Sequence, residues 1–162
     1  MIETILTRRS VRSFLPDPVP PDSLEALLKA GFHAPSAMNQ RPWHFVVLEG
    51  ERLEGLLRGL ANTPKGAPLA LVVCVDENLE RLTRAGDSDA AAASQNILLA
   101  AHSLGLGAVW SAVLPESAAF VRGYLGLPVN IRPFSVIPVG KPAQRPAPVD
   151  RYDESRVHRN GW

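Results

Sequence analysis

The stretch that decides the fold is "DAAAASQNILLAAHSLGLGAVWSAVLP", residues 89 to 115. Its first part is rich in alanine and apolar almost all round, which predicts a helix over 89–104 that lies in the core. The "GLG" that follows predicts the end of that helix. "AVWSAVL" after it predicts a strand, so a buried helix and a sheet are expected to pack together.

The flanking sequence predicts more helices and strands in alternation. Asp22 is expected to be the N-cap of an amphipathic helix, with Glu25 at the capping-box position, and this helix should stop before Pro35. "APLALVVCVD" is apolar on both faces and predicts a central strand. The remaining expected elements are a helix at 2–8, the strand "HFVVLE" at 44–49, a helix ending near 62–64, a loop or frayed helix at 77–86, the helix "PESAAFVRGYLGL" at 115–127 and the strand "FSVIPVG" at 134–140.

This order of elements predicts one domain over residues 1–162, built on a single sheet, with an extended C-terminal arm at 141–162. No G-x-G-x-x-G follows the first strand, which argues against a Rossmann fold. The chain has 162 residues and a net charge of +1, so its bulk charge does not indicate nucleic acid or membrane as a partner. With one cysteine and no long apolar run, we expect a cytoplasmic protein without a signal peptide or an internal disulfide.

Three short clusters are candidates for binding chemistry. "RRSVR" brings together Arg8, Arg9, Ser10 and Arg12, and a helical turn would point Arg8 and Arg12 the same way. Guanidinium groups bind phosphate or carboxylate bidentately, and a hydroxyl adds a donor. Taken alone, the same residues are more typical of a solvated basic face.

The second cluster, "PVGKPAQR", places Gly140, Lys141 and Arg145 at the exit of the last strand. Alone, it is typical of an ordinary Gly-Pro loop. The third, "VWSAVLP", places Trp110, Ser111 and Ala112 near a strand end. Small residues there would let a flat ligand lie against backbone N–H groups, although an edge strand is the simpler interpretation.

The loop "APSAMNQRPW", residues 34 to 43, is long for a connection between a helix and a strand. It contains two adjacent amides, two prolines and small side chains, which indicates a shape that a ligand or partner requires. Pro42 and Trp43 are expected to anchor it to the core.

Signals for other chemistry are missing from the sequence. It has no P-loop, no Cys/His metal spacing and no context for a Ser-His-Asp triad. His102, on the apolar helix, is expected to be a core residue rather than a catalyst. We therefore expect no metal and no catalytic side chain, but a protein that binds a phosphorylated cofactor and leaves the chemistry to it.

In combination and in order, "RRSVRSF", "APSAMNQRPWHFVVL", the stretch from 89 to 115 and "VIPVGKP" resemble the nitroreductase family of flavoproteins. The resemblance implies an α+β fold with a central mixed β-sheet flanked by helices. It also implies a homodimer with one FMN per subunit at the interface and a C-terminal tail that wraps the partner. NAD(P)H would reduce the flavin, and a small acceptor such as a nitroaromatic or quinone would oxidise it in a ping-pong cycle.

The resemblance also implies roles for individual residues. Those expected to contact the FMN phosphate, ribityl chain and pyrimidine edge are Arg8, Arg9, Ser10 and Arg12. Those expected to contact a flavin bound mainly by the partner are Pro35, Ser36, Ala37 and Asn39. Beside the ring we expect Trp110, Ser111 and Ala112, and completing the phosphate site Gly140, Lys141 and Arg145.

Two questions stay open on the sequence. The segment "NTPKGAP", residues 62 to 68, directly joins a helix to a strand where larger relatives carry extra helices, so the active site is either open or covered by the partner. The same fold also serves flavin-consuming oxygenases, dehalogenases and non-catalytic flavin-binding proteins, which are the alternatives to an NAD(P)H oxidoreductase.

Overall fold

The described part of the chain folds into five α-helices and five β-strands, and two of the strands have only two residues each. The computed structural model describes residues 2–82 and 85–162. The elements are α1 (Ile2–Thr7), α2 (Pro21–Phe32), β1 (Trp43–Glu49), α3 (Gly50–Arg58), β2 (Leu69–Asp76), α4 (Ala85–Ser103), β3 (Gly107–Ala108), β4 (Ser111–Ala112), α5 (Pro115–Leu125) and β5 (Ile131–Gly140). Short 3-10 turns occur at Ala37–Asn39 and Glu154–Arg156.

The sheet has the order β1-β2-β5-β3, and β4 also pairs with β5. The predicted α+β class is confirmed, but the sheet differs from the expected mixed one because all four strand pairs are antiparallel. The end of β1 faces the start of β2 at Glu49 and Leu69, so the intervening helix and loop leave and re-enter at the same end of the sheet. Within the described ranges, the segments around Ser10 and Ala108 run parallel and form an isolated bridge.

β2 is the central strand, as its apolar sequence predicted, and almost every residue in it is buried. Because side chains alternate along a strand, its two faces support two core clusters. Leu71 and Val73 on one face pack with α2 and α4, and Val72 and Cys74 on the other pack with α3 and α5. α4 lies across the first face, which confirms the expected core helix and extends it to begin at Ala85.

The predicted strand over 108–114 is interrupted. β3 and β4 both pair with β5, but Val109 and Trp110 between them are not strand residues. The partner strand carries Pro138 at this level, and Val109 N–H donates to its carbonyl at 3.4 Å. Proline has no N–H to return the bond, so the ladder breaks there.

Two local predictions near the N-terminus are wrong. α2 begins at Pro21 with Pro20 as its N-cap, so Asp22 lies in the first turn and caps nothing. Proline at the first helical position sets the start because its fixed φ suits a helix and it has no N–H to satisfy. α1 ends at Thr7, and the bridge at Ser10 makes the following segment extended, so Arg8 and Arg12 do not share a helical turn.

The region around 77–86 and the tail complete the description. Of the predicted loop at 77–86, the described residues form a turn after β2 and the start of α4, and residues 83 and 84 lie outside the described ranges.

The tail is almost entirely exposed from Ala143 to Trp162. Among the helices of the described ranges, none is long and apolar enough to cross a membrane. The single domain over 1–162 stays a prediction.

Candidate functional site

Hydrogen bonds bring the three predicted clusters together at one end of the sheet. Val11 N–H donates to the carbonyl of Ala108 at 3.0 Å, and Leu15 N–H donates to the carbonyl of Lys141 at 2.8 Å. Gly107 in turn pairs with Gly140 across β3 and β5. The segment after α1 therefore lies beside β3, directly before "VWSA", and its far end lies beside the exit of β5.

Two glycines make this close approach feasible. A Cβ on Gly107 would stand 2.7 Å from a methyl carbon of Val11, and a Cβ on Gly140 would stand 2.6 Å from Pro68. Both distances are too short for any real side chain, so glycine is required for packing at both positions. At Gly140 the close neighbours are the side chains of Pro68 and Phe14, and the predicted place of Gly140 in a phosphate site stays a prediction.

Arg8 is the strongest candidate for an anion ligand. Its side chain is partly buried, and no hydrogen bond from its guanidinium is found among the described residues. Burial lowers the pKa of Arg8, and the nearby positive charges of Arg151 and Arg9 lower it further. No ion pair of Arg8, Arg9 or Arg151 with a carboxylate is found among the described residues, and positive charges held together in this way are stabilised when an anion binds between them. This donor set therefore fits the phosphate group of a cofactor.

Arg151 was missed by the sequence analysis. It lies in the tail, more than a hundred residues from Arg8, and the tail carries no pattern that distinguishes it from other exposed arginines. The tail folds back beside α1 and forms a groove of about 550 Å³ with it. The residues lining this groove are Ile5, Leu6, Thr7, Arg8, Arg9, Pro148, Val149, Asp150, Arg151 and Tyr152.

Arg9 points its donors at backbone carbonyls. Its Nε donates to Ala147 at 3.2 Å and one terminal nitrogen donates to Val149 at 2.9 Å, both in the tail. The other terminal nitrogen donates to the carbonyls of Leu6 and Arg8 at the end of α1. Arg9 thus ties the tail to α1, and its predicted contact with a cofactor stays a prediction.

Arg145 and His102 lie on a smaller cavity of about 270 Å³, next to Arg9. Arg145 donates to the carbonyl of Gly105, just beyond the end of α4. The His102 Nε2 lies 2.8 Å from the Thr7 hydroxyl oxygen, so this histidine has a hydrogen-bond partner, but it is only partly buried and is not the core residue that was predicted. Burial lowers the pKa of His102, and the charges of Arg145, Arg8 and Arg9 lower it further.

The other residues predicted near the cofactor occupy varied environments. Trp110 is partly buried and its ring lies 5.6 Å from that of Phe134, while Ser111 is buried and pairs with Val136. Exposed side chains in this group are Arg12, Ala112 and Lys141. Since an extended segment alternates its side chains, Arg8, Ser10 and Arg12 are expected on one side of the chain and Arg9 on the other.

The loop after α2 has an unusual backbone. Met38, Asn39 and Arg41 have φ values of 51°, 54° and 51°, in the left-handed region that non-glycine residues rarely adopt. Each such residue costs about 1 kcal/mol or more, and the strain persists only where neighbouring contacts hold it. Residues of this kind cluster at functional sites, so the loop remains a binding candidate.

Hydrogen bonds hold the loop in this shape. The Ser36 hydroxyl accepts from Arg41 N–H at 3.0 Å, and the Gln40 amide donates to the carbonyl of Ala37 at 2.8 Å. Ala37 N–H donates to the carboxylate of Asp89 at 2.9 Å. Pro42 and Trp43 are buried, which confirms that they anchor the end of the loop.

The loop and the arginine cluster lie at opposite ends of α4. Asp89, which binds the loop, is near the start of the helix, and His102, beside Arg9 and Arg145, is in its last turn. At 1.5 Å per residue, about 20 Å of helix separates these two residues. Residues that were predicted to contact the same flavin thus lie far apart within a single chain.

The described residues offer little chemistry of their own at these places. Within the described ranges, no group of three or more His, Cys, Asp or Glu side chains could hold a metal ion. Cys74 is buried in the core, and burial raises the pKa of its thiol to about 12, so it is not a nucleophile at neutral pH. The site provides donors and shape for a bound group that supplies the reactivity.

Comparisons with known proteins agree with this picture. The model of the nitroreductase family matches residues 5–85 and 56–141. A Methanothermobacter thermautotrophicus protein, provisionally named NADH dehydrogenase/NAD(P)H nitroreductase, is 42% identical over 100% of this chain and 87% of its own length.

Solved structures are similar over the same range. A provisionally named nitroreductase of Desulfovibrio desulfuricans, in complex with FMN, is 30% identical with a TM-score of 0.90, covering 99% of this chain and 96% of that one. The NADPH:FMN oxidoreductase of Vibrio harveyi, in complex with NAD+, is 31% identical with a TM-score of 0.87, covering 99% of this chain and 77% of that one.

Proposed function

The chain belongs to the nitroreductase family, and from this premise we propose that it passes hydride from NAD(P)H through FMN to a small acceptor by a ping-pong mechanism. Relatives with nitroreductase, flavin oxidoreductase and FMN reductase names support the general activity, so the chain is an FMN-dependent oxidoreductase that uses NAD(P)H. A nitroaromatic or quinone is the proposed acceptor class. When bound, FMN would supply the redox chemistry, and the protein would bind and orient it.

The observation that carries this proposal is the positive cluster around Arg8. Its partly buried guanidinium has positive neighbours in Arg9 and Arg151. A phosphate group would accept charge-assisted hydrogen bonds from Arg8 and relieve the repulsion within the cluster. Ser10 and Lys141 are proposed as further donors, because Ser10 is two residues from Arg8 and a backbone bond from Leu15 joins Lys141 to the same segment.

We propose that the segment from Trp110 to Ala112 lies beside the flavin ring. The isolated bridge between Ala108 and Ser10 lies just before this segment in the chain. The small side chains of Ser111 and Ala112 would leave room for a flat ring, and backbone N–H groups would donate to it. No protein acid is assigned, so protons for the reduced product would come from water.

A homodimer would unite the two ends of α4. In a symmetric pair, the loop from Pro35 to Arg41 of one copy would reach the flavin that the arginines of the other copy hold. Large apolar side chains are exposed in α1 and in the tail, as expected of an uncovered interface. They are Ile2, Ile5, Leu6, Tyr152, Val157 and Trp162. We propose that the tail wraps the partner, and cytoplasmic location also stays a prediction.

Spectroscopy and turnover test the function. We expect a yellow protein whose flavin absorbance bleaches with NAD(P)H in the absence of oxygen and returns when a nitroaromatic or quinone is added. A colourless protein that fails to bind added FMN would contradict the proposal. Oxygen-dependent loss of the flavin itself would instead indicate a flavin-consuming enzyme, and tight FMN binding without reduction would indicate a non-catalytic flavin-binding protein.

Light scattering and loop variants test the dimer. Replacing Ser36 and Asn39 with leucine should weaken FMN binding and dimerisation together, because both residues would lie at the shared site. A wild-type protein that is monomeric with FMN bound would contradict the shared site, as would double-variant protein in which both properties are unchanged.

A further inference from the structure

Asp89 is a buried acid to which the sequence analysis gave no role. Its side chain is only 5% exposed, and it lies on α4 beside the small core cluster of Ala34, Trp43 and Ala93. One carboxylate oxygen, Oδ1, accepts from Ala37 N–H at 2.9 Å. The other, Oδ2, is buried without a hydrogen-bond partner among the described residues.

A buried carboxylate with a single hydrogen bond is costly for the fold. Removing a carboxylate from water without pairing its charge opposes folding, and an alanine here would continue the alanine-rich helix without that cost. The location of Asp89 is thus explained better by what it does to the loop than by a contribution to stability. The same argument does not apply to Asp87, two residues earlier, which is exposed and pairs with Arg132 at 2.7 Å.

We propose that Asp89 is a positioning residue that fixes the loop from Pro35 to Arg41 in the shape and place in which it meets the flavin of a second copy. The link to the flavin rests on the proposed function. The hold on the loop itself rests on the geometry alone.

The other hydrogen bonds of the loop cannot replace this one. Those from Arg41 to Ser36 and from Gln40 to Ala37 stay within the loop, so they hold its shape but not its place. The bond between the Gln40 amide oxygen and Arg81 N–H leads to an exposed segment after β2. Within the described part of the chain, Asp89 provides the loop's one hydrogen bond to α4.

Because the backbone of the loop is strained, its conformation depends on the hydrogen bond between Ala37 and Asp89. Ala37 begins the 3-10 turn, and Met38 and Asn39 directly after it both have positive φ. If the N–H of Ala37 is released, the turn can relax toward ordinary backbone angles and the donors of Ser36 and Asn39 move. A loop that must be reordered on binding lowers the affinity for whatever it binds.

Amide hydrogen exchange on the FMN-free protein tests the hold on the loop. We expect Asp89→Ala to raise the exchange rate of the Ala37 amide about tenfold or more, the scale of one lost hydrogen bond to a charged group. Exchange in the core of α4, at Ile97 and Leu98, should stay unchanged, which shows that the fold is intact. Asp87→Ala is the matched control and should leave the Ala37 amide protected.

FMN titration tests the consequence. Asp89→Ala should raise the FMN Kd about tenfold, while Asp89→Asn, which keeps the Oδ1 acceptor, should stay closer to the wild type in both Kd and Ala37 exchange. Unchanged Ala37 exchange in Asp89→Ala would overturn the proposal, and so would equal effects of alanine and asparagine.

The two proposals fail in different ways. Wild-type protein that does not bind FMN would contradict the proposed function, and the exchange result would still decide whether Asp89 holds the loop. Wild-type protein that binds FMN, with an Asp89→Ala variant of the same FMN affinity, would contradict the positioning role alone.

Discussion

Replacing the arginines of the positive cluster should separate affinity for FMN from affinity for riboflavin. Riboflavin carries the same ring and ribityl chain but has no phosphate. If Arg8 and Arg151 bind the phosphate, then Arg8→Ala and Arg151→Ala should weaken FMN binding and leave riboflavin binding nearly unchanged. Arg58→Ala, on α3 in an exposed pair with Glu54, is the matched control and should change neither affinity.

The structure sets the size and sign of these effects. A hydrogen bond to a charged group contributes about 1.5–3 kcal/mol, and Arg8 is partly buried, so we expect its loss to raise the FMN Kd about 30-fold. Arg151 is exposed and screened by solvent, so its loss should raise the FMN Kd only about threefold. The effect on the stability of the FMN-free protein should not be a loss. Because the charge of Arg151 repels that of Arg8, Arg151→Ala should leave the FMN-free protein as stable as the wild type or slightly more stable.

Fluorescence titration of both flavins, together with thermal unfolding of the FMN-free variants, measures all of these quantities. The reasoning would be refuted if Arg8→Ala weakened FMN and riboflavin binding by the same factor, because the arginine would then act on the ring or on the fold. It would also be refuted if Arg151→Ala lowered the melting temperature of the FMN-free protein by several degrees.

Three further predictions concern packing and titration. Gly107→Ala places a Cβ against Val11 and should destabilise the protein by about 1–3 kcal/mol in denaturant unfolding, whereas Gly123→Ala, in an open helical position, should be neutral or stabilising. The Cys74 thiol, with its pKa near 12, should not react with a disulfide reagent at pH 8 until the protein is unfolded. In an NMR titration, the pKa of His102 should lie below the usual value of about 6.5. The folded state then binds this proton less readily than the unfolded state, so the free energy of unfolding should fall as the pH drops below about 6.5. His102→Gln should reduce this pH dependence of stability.

The core elements could be predicted because buried helices and strands have a recognisable pattern of apolar residues along the sequence. β2 is apolar on both faces, and α4 is alanine-rich with few charges, so both could be placed inside without any tertiary information. The requirement for glycine at 107 and 140 was not predicted, because their neighbours Val11 and Pro68 come from distant parts of the chain. Elements whose limits depend on local backbone chemistry were less certain, as the wrong N-cap at Asp22 shows.

The parts of the site that were not predicted depend on contacts between distant segments. Arg9 is adjacent to Arg8 in sequence, but it binds tail carbonyls of Ala147 and Val149, and no local pattern separates the two arginines. Asp89 is one of several polar residues at the start of a helix, and only the position of the loop reveals its role. Arg151 became a candidate when the tail was seen to return to α1.

Because the loop and the arginine cluster lie at opposite ends of α4, FMN binding and dimerisation should depend on each other. If each flavin takes its phosphate ligands from one copy and the Pro35–Arg41 loop from the other, neither copy alone offers a complete site, and FMN binds the dimer in preference to the monomer. Preferential binding then stabilises the dimer by RT ln(1 + [FMN]/Kd) at each site, about 2.7 kcal/mol when FMN is at 100 times its Kd. By reciprocity, dimerisation strengthens FMN binding by the same free energy by which FMN binding strengthens the dimer. In such a dimer the strained loop would be as much a part of the interface as of the cofactor site, and Asp89, which bonds to it from α4, would contribute to both.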